Sequence, residues 1–319
     1  MLLLKPRGFC AGVVRAIDVV KIALETFGAP IYVRREIVHK RYVVNELAAK
    51  GAIFVHEIDD VPEGQRVIYS AHGVSPAVRE RSRARNLKVI DATCPLVTKV
   101  HTEAVKFARQ GYSLILIGHR DHDEIEGTLG EAPEVTHVVS NVAEVGKLQV
   151  PDPEHVAYLT QTTLSISEAR DIIHALHVKF PKIVGPSSQD ICYATENRQV
   201  AVRNVAHNAG LVLVVGSTNS SNSNRLVEVS RNLGTIGYLI DNSQAIDPAW
   251  LQGVSTVAVT AGASAPEILV EDVVNYLRQN GFTSVEEVEV MPENVRFGLP
   301  PEIVQAIGSA CGGAPVPAR

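Results

Sequence analysis

The sequence predicts an α/β protein in which three pseudo-repeated α/β units pack around a pseudo-threefold axis with a central site. One observation is compositional: Val, Ile, Leu and Ala are abundant, whereas only 5% of the 319 residues are aromatic. That bias is typical of buried parallel strands covered by helices. The other is a pattern of cysteine, amphipathic helix, glycine and β-branched strand that occurs three times. Equivalent loops of three such units would meet at one centre, as ligand-binding loops do at strand ends in open α/β sheets.

Each copy begins with a cysteine followed by an apolar-periodic stretch about four turns long. A glycine follows the cysteine after 17 or 18 residues and is expected to end the helix. The three pairs are Cys10 and Gly28, Cys94 and Gly111, and Cys192 and Gly210. A lone cysteine is usually an inert buried residue, but three at equivalent places before helices indicate a shared role.

Two polar loops follow in every copy. The first lies 28 or 29 residues after the cysteine and carries His39, His122 or Ser220. A second helix and a second strand come next (AIFV, THVVS and GYLI). A third strand then leads into a loop around His72, Thr162 or Ser264. A run of unrelated strand–helix units is the alternative, but it does not explain why the order repeats.

These offsets predict three units at residues 1–93, 94–191 and 192–282, with a C-terminal tail at 283–319. The tail segment VEEVEVMPENVRF is expected to pair with a sheet edge. Cys311 lies in a Gly/Pro-rich part of the tail, outside the repeat, and is predicted not to be a metal ligand.

Four cysteines in this length are too few for a disulfide scaffold, and the absence of close CxxC pairs disfavours a zinc ribbon. Three converging thiolates can hold a cubane iron–sulfur cluster, which normally takes four. The open iron could then act as a Lewis acid toward a substrate oxygen. A Cys₃ zinc site with a polar fourth ligand remains an alternative.

The polar loops predict an anion site. Hydroxyl, amide and imidazole groups at helix starts suit a phosphate or diphosphate; they are His39, His72, Ser220, Ser221, Asn222 and Ser264. Helix N-caps and surface histidines are the simpler interpretation of each residue alone. His122 and Glu124 form either a proton relay or an acidic helix start. Thr162 is placed to contact a substrate hydroxyl.

The formal net charge of -5 argues against a nucleic-acid binder that works through a broad basic face. No apolar run approaches the length of a membrane span, which takes roughly 18 residues, and no export signal is visible. We therefore expect a cytoplasmic protein with neither nucleic acid nor membrane as partner. The basic run RERSRARNLK at 79–88 is either a solvated helix face or a docking patch for an acidic electron donor.

Nine motifs in order over about residues 1–290 resemble the 4-hydroxy-3-methylbut-2-enyl diphosphate reductases of the non-mevalonate isoprenoid route. They are GFCAGVVRAI, EIVHKRYVV, SAHGVSP, DATCPLV, EGTLGE, TQTTLS, DICYAT, GSTNSSNSNRL and AGASAP. The resemblance implies a trefoil with one [4Fe-4S] cluster. It also implies a two-electron, two-proton dehydroxylation that yields isopentenyl and dimethylallyl diphosphates, and a small donor such as ferredoxin or flavodoxin.

The resemblance also implies roles for residues in the matching motifs. Cys10, Cys94 and Cys192 would ligate the cluster, Thr162 would contact the hydroxyl end and Glu124 would supply protons. The diphosphate would bind His39, His72, His122, Ser220, Ser221, Asn222 and Ser264. One position departs from the family, which usually has proline where this chain has Asp123; a fixed φ is lost and a carboxylate is added.

Two rival functions are a non-catalytic iron–sulfur sensor and a zinc-dependent hydrolase of phosphorylated metabolites. The sensor would need a partner or DNA surface that neither the charge nor the motifs indicate. The zinc enzyme would be colourless after anaerobic purification, whereas a cluster enzyme is coloured.

Overall fold

The computed structural model describes residues 1–310 and contains three parallel β-sheets, one for each predicted unit. Cys311, predicted not to be a ligand, lies outside the described residues. Among residues 1–310, no helix combines the length and the apolar character that crossing a membrane requires.

The chain through residue 91 forms five strands and three α-helices. In order they are β1 (Leu2–Lys5), α1 (Ala11–Phe27), β2 (Ile31–Arg34), α2 (Arg41–Ala49), β3 (Ala52–Val55), β4 (Arg66–Tyr69), α3 (Pro76–Ala84) and β5 (Lys88–Asp91). The helix α1 shows how the sequence determines which face of a helix is buried and where the helix ends. In α1, Val13, Ile17 and Val20 recur every three or four residues and are buried against the first sheet. Gly28 ends α1 with a φ of 75° and donates its N–H to the Leu24 carbonyl at 3.0 Å.

Units 2 and 3 repeat this alternation of helix and strand. The elements of unit 2 are α4 (Pro95–Arg109), β6 (Ser113–Ile117), α5 (Asp123–Glu131), β7 (Thr136–Val139), α6 (Val142–Lys147), β8 (Val156–Thr160) and α7 (Ile166–Lys179). Those of unit 3 are α8 (Tyr193–Ala206), β9 (Leu211–Val215), α9 (Ser221–Asn232), β10 (Ile236–Ile240), β11 (Val257–Ala261) and α10 (Glu267–Gln279). The tail contributes β12 (Glu286–Glu289) and α11 (Pro301–Ala310).

All three sheets share one core topology. The first strand after each cysteine-capped helix is central, with the predicted second and third strands on either side. The strand orders are β3-β2-β4-β5, β7-β6-β8 and β10-β9-β11-β1-β12, with all pairs parallel. The triplicated unit inferred from the sequence is therefore present.

The N-terminal strand differs from the predicted boundary, which placed residues 1–93 in unit 1. Instead, β1 joins the sheet of unit 3, where Leu2 is in register with Ala258 of β11 and Glu286 of β12. Its apolar side chains complete the core of that sheet, a long-range contact that sequence order does not reveal. The predicted pairing of the tail with a sheet edge is confirmed by β12.

A second difference concerns Gly210, which was expected to end the helix of unit 3. The helix α8 already ends at Ala206, and Gly210 instead donates its N–H to the Thr256 carbonyl at 2.9 Å. The expectation holds for Gly28 and for Gly111, which has a φ of 81° just after α4.

Each cysteine follows a segment that belongs to the preceding unit's sheet. Cys10 follows β1 in the third sheet, and Cys94 follows β5 in the first. Before Cys192, Val184 forms a single parallel bridge with Ala157 of β8 in the second sheet. The chain therefore crosses from one unit to the next at each cysteine, which places all three cysteines at the centre.

Candidate active site

The three cysteines occupy the same structural position. Each is the N-cap residue of a helix, before α1, α4 and α8 respectively. Each backbone N–H donates to a carbonyl two residues beyond the end of a third strand, at 3.0–3.1 Å. The bonds join Cys10 to Ala263, Cys94 to Ala71, and Cys192 to Thr162. The same backbone geometry therefore occurs three times, and all three cysteines line one cavity.

Gly12 leaves room beside two of the thiols. A Cβ at this position would lie 2.8 Å from the Cys94 Sγ and 3.8 Å from the Cys10 Sγ. The first distance is shorter than a normal carbon–sulfur contact, so any larger residue would displace the thiol. The third thiol, of Cys192, lies 3.1 Å from the Thr195 Oγ1. The space beside the thiols of Cys10 and Cys94 is therefore open because Gly12 has no side chain.

The thiols of Cys94 and Cys192 are not poised as free nucleophiles. Burial raises the pKa of Cys94 to about 12 and that of Cys192 to about 11. Backbone N–H groups of the helix starts act in the opposite direction, as expected for N-caps, but burial outweighs them. A bound metal would convert these thiols to thiolates, because ligation displaces the proton. Three soft sulfur donors suit an iron–sulfur cluster or zinc and fit a hard cation poorly.

Three histidines form a compact cluster on another wall of the cavity. The rings of His39 and His72 stack with centroids 3.9 Å apart, and His122 lies edge-on at 5.4 and 5.8 Å. Burial, followed by repulsion from the other imidazoles, lowers the pKa of His122 to about 4 and that of His72 well below its usual range. An anion placed against them would favour their protonated forms.

The internal repeat explains why loops from all three units come together at this cavity. His39, His122 and Ser220 each lie five residues beyond the end of a central strand, namely β2, β6 and β9. Equivalent loops therefore bring equivalent positions to one wall. Ser220 and His122 also cap their helices, accepting the N–H of Ser223 and of Glu124, so the N-cap interpretation and the site interpretation are compatible.

Unit 3 supplies hydroxyl and amide groups that are fixed by their own bonds. The Asn222 Oδ1 accepts the Ala263 N–H at 2.9 Å, and its Nδ2 lies 3.3 Å from the Thr195 Oγ1. Ser264 donates to the His39 carbonyl at 3.1 Å and joins units 3 and 1. Ser221 donates to the Thr163 carbonyl at 3.1 Å and joins units 3 and 2.

Glu124 is the buried acid of the cavity and is only 2% exposed. Its carboxyl group accepts the Thr162 N–H at 2.6 Å and the Thr162 hydroxyl at 2.9 Å. Burial raises its pKa to about 7, although both bonds from Thr162 act to lower it. At neutral pH this group can therefore both give and take a proton.

Asp123, at the position that departs from the family pattern, is engaged by unit 1. Its Oδ1 accepts a hydrogen bond from the Arg35 guanidinium, and its Oδ2 lies 3.9 Å from the His72 Nδ1. Arg35 also pairs with Glu126 at 2.8 Å. The added carboxylate is thus neutralised by a cation at the mouth of the cavity and ties the start of α5 to unit 1.

All twelve sequence-predicted site residues line one cavity of about 690 Å³, measured to its open mouth. They are Cys10, His39, His72, Cys94, His122, Glu124, Thr162, Cys192, Ser220, Ser221, Asn222 and Ser264. No lysine or arginine is among the described residues of its lining.

Further residues that the sequence did not indicate also line the cavity, among them Gly12, Thr163 and Thr195. Thr163, rather than Thr162, stands three residues beyond its strand, as His72 and Ser264 do. Aligning the ends of the third strands, instead of the loops as wholes, would have found it. Thr195 gave no signal, because a threonine in the first turn of a helix is common.

A model of the LytB protein family matches residues 1–278. A 4-hydroxy-3-methylbut-2-enyl diphosphate reductase from Azoarcus sp. strain BH72 is 55% identical over 306 residues, covering 96% of this chain and 98% of the relative. The same enzyme from Bordetella pertussis strain Tohama I is 56% identical over 300 residues, covering 94% and 92%.

Solved structures agree with these relatives. The E-1-hydroxy-2-methyl-but-2-enyl-4-diphosphate reductase from Plasmodium falciparum superposes with a TM-score of 0.95 at 41% identity, covering 97% of this chain and 98% of that one. A second reductase, described as the terminal enzyme of the non-mevalonate pathway, gives a TM-score of 0.62 at 31% identity, covering 87% and 98%. The predicted trefoil class is confirmed by these matches.

Proposed function

Because the chain belongs to the LytB protein family, we propose that it reductively dehydroxylates 4-hydroxy-3-methylbut-2-enyl diphosphate. The reaction consumes two electrons and two protons and releases water with isopentenyl or dimethylallyl diphosphate. The observation that carries the proposal is one cavity that joins three convergent thiols, a buried acid and a polar cradle from all three units.

The three thiols fit a [4Fe-4S] cluster held by Cys10, Cys94 and Cys192. A Cβ on Gly12 would crowd the sulfurs of Cys94 and Cys10, at 2.8 and 3.8 Å, and all three thiols come from equivalent helix caps that line one cavity. When bound, such a cluster would supply single electrons and Lewis-acid chemistry toward the substrate oxygen. The remaining steps fall to the side chains of this chain.

The diphosphate would bind at the histidine cluster and the unit 3 loops. With no lysine or arginine among the described lining residues, the anion is balanced by helix N-termini, hydroxyl and amide donors, and imidazoles. His72 and His122 are neutral in the free protein because burial lowers the pKa of each. Contact with a diphosphate raises these pKa values, so substrate binding takes up protons.

The hydroxyl end of the substrate would lie toward Thr162 and Glu124. Glu124 donates the proton that turns the departing hydroxide into water, and Thr162 holds the carboxyl group in place through two bonds. The electron donor, for which a ferredoxin or flavodoxin is predicted, and the cytoplasmic location stay predictions from the sequence.

Anaerobic purification tests the proposal directly. We expect a brown protein with roughly four iron and four sulfide per chain, which reduces the diphosphate substrate with an artificial one-electron donor. The measurement is iron and sulfide analysis, with Mössbauer spectra before and after addition of substrate. A colourless zinc protein that hydrolyses phosphorylated metabolites would overturn the proposal in favour of the rival hydrolase.

Replacing Asn222 with Asp is expected to raise KM for the diphosphate substrate by roughly 100-fold, because like charges in close contact cost several kcal/mol. The fold should persist, since an Asp oxygen still accepts the Ala263 N–H and the Thr195 hydroxyl can donate to the other. Steady-state kinetics would measure the change. The matched control is Asn232→Asp, at the exposed end of the same helix; equal KM values in both variants would remove Asn222 from the diphosphate site.

A further inference from the structure

Each cysteine-capped helix carries a positively charged side chain about one and a half turns beyond its cysteine. Arg15 lies five residues after Cys10, Lys99 five after Cys94, and Arg198 six after Cys192. None of the three lines the central cavity. Each of them nevertheless donates to a backbone carbonyl in the loop that leads to the next cysteine.

Arg15 connects the helix of the first cysteine to the loop that carries the second. It projects from α1 and donates to the Thr93 carbonyl at 3.0 Å, directly before Cys94. Its other nitrogens donate to the carbonyl oxygens of Asp91, at 3.5 Å, and Gly298, at 2.7 Å. The thiol of Cys94 also lies within electrostatic range of this guanidinium.

Lys99 makes the equivalent connection from unit 2 to unit 3. It projects from α4, and its Nζ donates to the carbonyl oxygens of Ser188, at 2.5 Å, and Gln189, at 3.1 Å. It also pairs with the Asp190 carboxylate at 2.9 Å. These three residues form the loop that ends at Cys192.

Arg198 closes the circle from unit 3 back to unit 1. Its side chain is fully buried and donates to the Gly8 carbonyl at 2.8 Å, two residues before Cys10. It is paired with Glu293 of the tail at 2.9 Å. The C-terminal tail therefore supports two of the three connections, because Gly298 accepts a hydrogen bond from Arg15 and Glu293 accepts one from Arg198.

We propose that Arg15, Lys99 and Arg198 form a ring of brace cations that fixes the mutual position of the three cysteine loops and thereby slows loss of the cluster. They act as positioning residues. Each holds the backbone next to the following cysteine, so that no loop can turn its sulfur away without breaking bonds to the neighbouring unit. The charge of Arg15, which lies within electrostatic range of Cys94, also favours a thiolate ligand there. The inference rests on the proposed function, because it concerns retention of the cluster assigned there.

The test uses Arg15→Met and Lys99→Met, which keep the apolar stem and remove the donor. Arg198 is left intact, because a change at a fully buried guanidinium would endanger folding. Anaerobically loaded protein is mixed with an iron chelator, and loss of the visible absorbance is followed. We expect both variants to release iron roughly 10–100-fold faster than wild type, the range typical of outer-shell partners of a metal site. Lys106→Met, at an exposed position of the same helix as Lys99, is the matched control and should match wild type.

The urea midpoint of the cluster-free proteins separates positioning from general stability. Faster iron release with an unchanged midpoint supports the brace. Release as slow as in Lys106→Met in either variant overturns it, and so does faster release that is accompanied by a lowered midpoint in either variant, since the effect is then loss of fold. A wild-type protein that takes up no cluster would refute the proposed function instead.

Discussion

Replacing Cys10, Cys94 or Cys192 with serine is expected to leave protein that cannot retain its cluster and has no measurable reductase activity. A serine hydroxyl is a hard, weakly acidic donor and replaces a soft thiolate poorly. Loss of an outer-shell partner already costs roughly 10–100-fold in metal affinity, and loss of a direct ligand should exceed that. Iron and sulfide content, visible absorbance and turnover would be measured on each variant prepared anaerobically.

The three variants should behave alike, because the three cysteines occupy equivalent N-caps with equivalent backbone bonds. Cys311→Ser is the matched control and should retain full iron content and turnover, as its place outside the repeat predicts. A normal iron content in any one of the first three variants would exclude that residue as a ligand. Equal loss of iron in all four would show that the repeat position carries no information about ligation.

The cysteines could be found from sequence because their geometry is local and repeated. Each caps a helix and precedes a polar loop by a nearly constant offset. Strand ends of parallel sheets gather at one edge, so residues at equal offsets from those ends must converge. The same reasoning located His39 and His122, each five residues beyond a central strand.

Long-range contacts could not be predicted from these local, repeated patterns. Lys99 meets the loop at Ser188, 89 residues along the chain, and no local pattern distinguishes it from any surface lysine of a helix. The placement of β1 in the third sheet is a contact of the same kind, since Leu2 meets Ala258. Such partners depend on how the units close into a circle, which only the assembled fold determines.

The pKa values of the thiols could not be predicted from the sequence for a different reason. The N-cap positions of Cys94 and Cys192 indicate lowered pKa values when helix geometry alone is considered. In the fold, burial dominates and raises both pKa values. The sequence gives the sign of each contribution, but the balance depends on how completely three units exclude water from one cavity.

Replacing Glu124 with Gln is expected to reduce turnover by roughly 10²–10⁴-fold while the cluster remains intact, the usual contribution of a positioned acid. A glutamine amide fits the same contacts, because its oxygen accepts the Thr162 N–H and its NH₂ group can donate to the Thr162 hydroxyl. What is lost is the titratable proton. Steady-state reduction with an artificial electron donor would measure turnover, with visible spectra recorded alongside.

The pH dependence gives a sharper test of the same role. Burial raises the pKa of Glu124 to about 7, so the group is mostly protonated at pH 6 and mostly ionised at pH 8. A proton donor with this pKa predicts that wild-type turnover falls above neutrality, approaching tenfold per pH unit, whereas Glu124→Gln loses that dependence. The exposed Glu126, which pairs with Arg35, offers the matched control, and Glu126→Gln should keep both the turnover and the pH profile of the wild type. Wild-type turnover in Glu124→Gln with a full cluster would assign the proton to another group, with Asp123, His122 and the substrate's diphosphate as the nearest candidates.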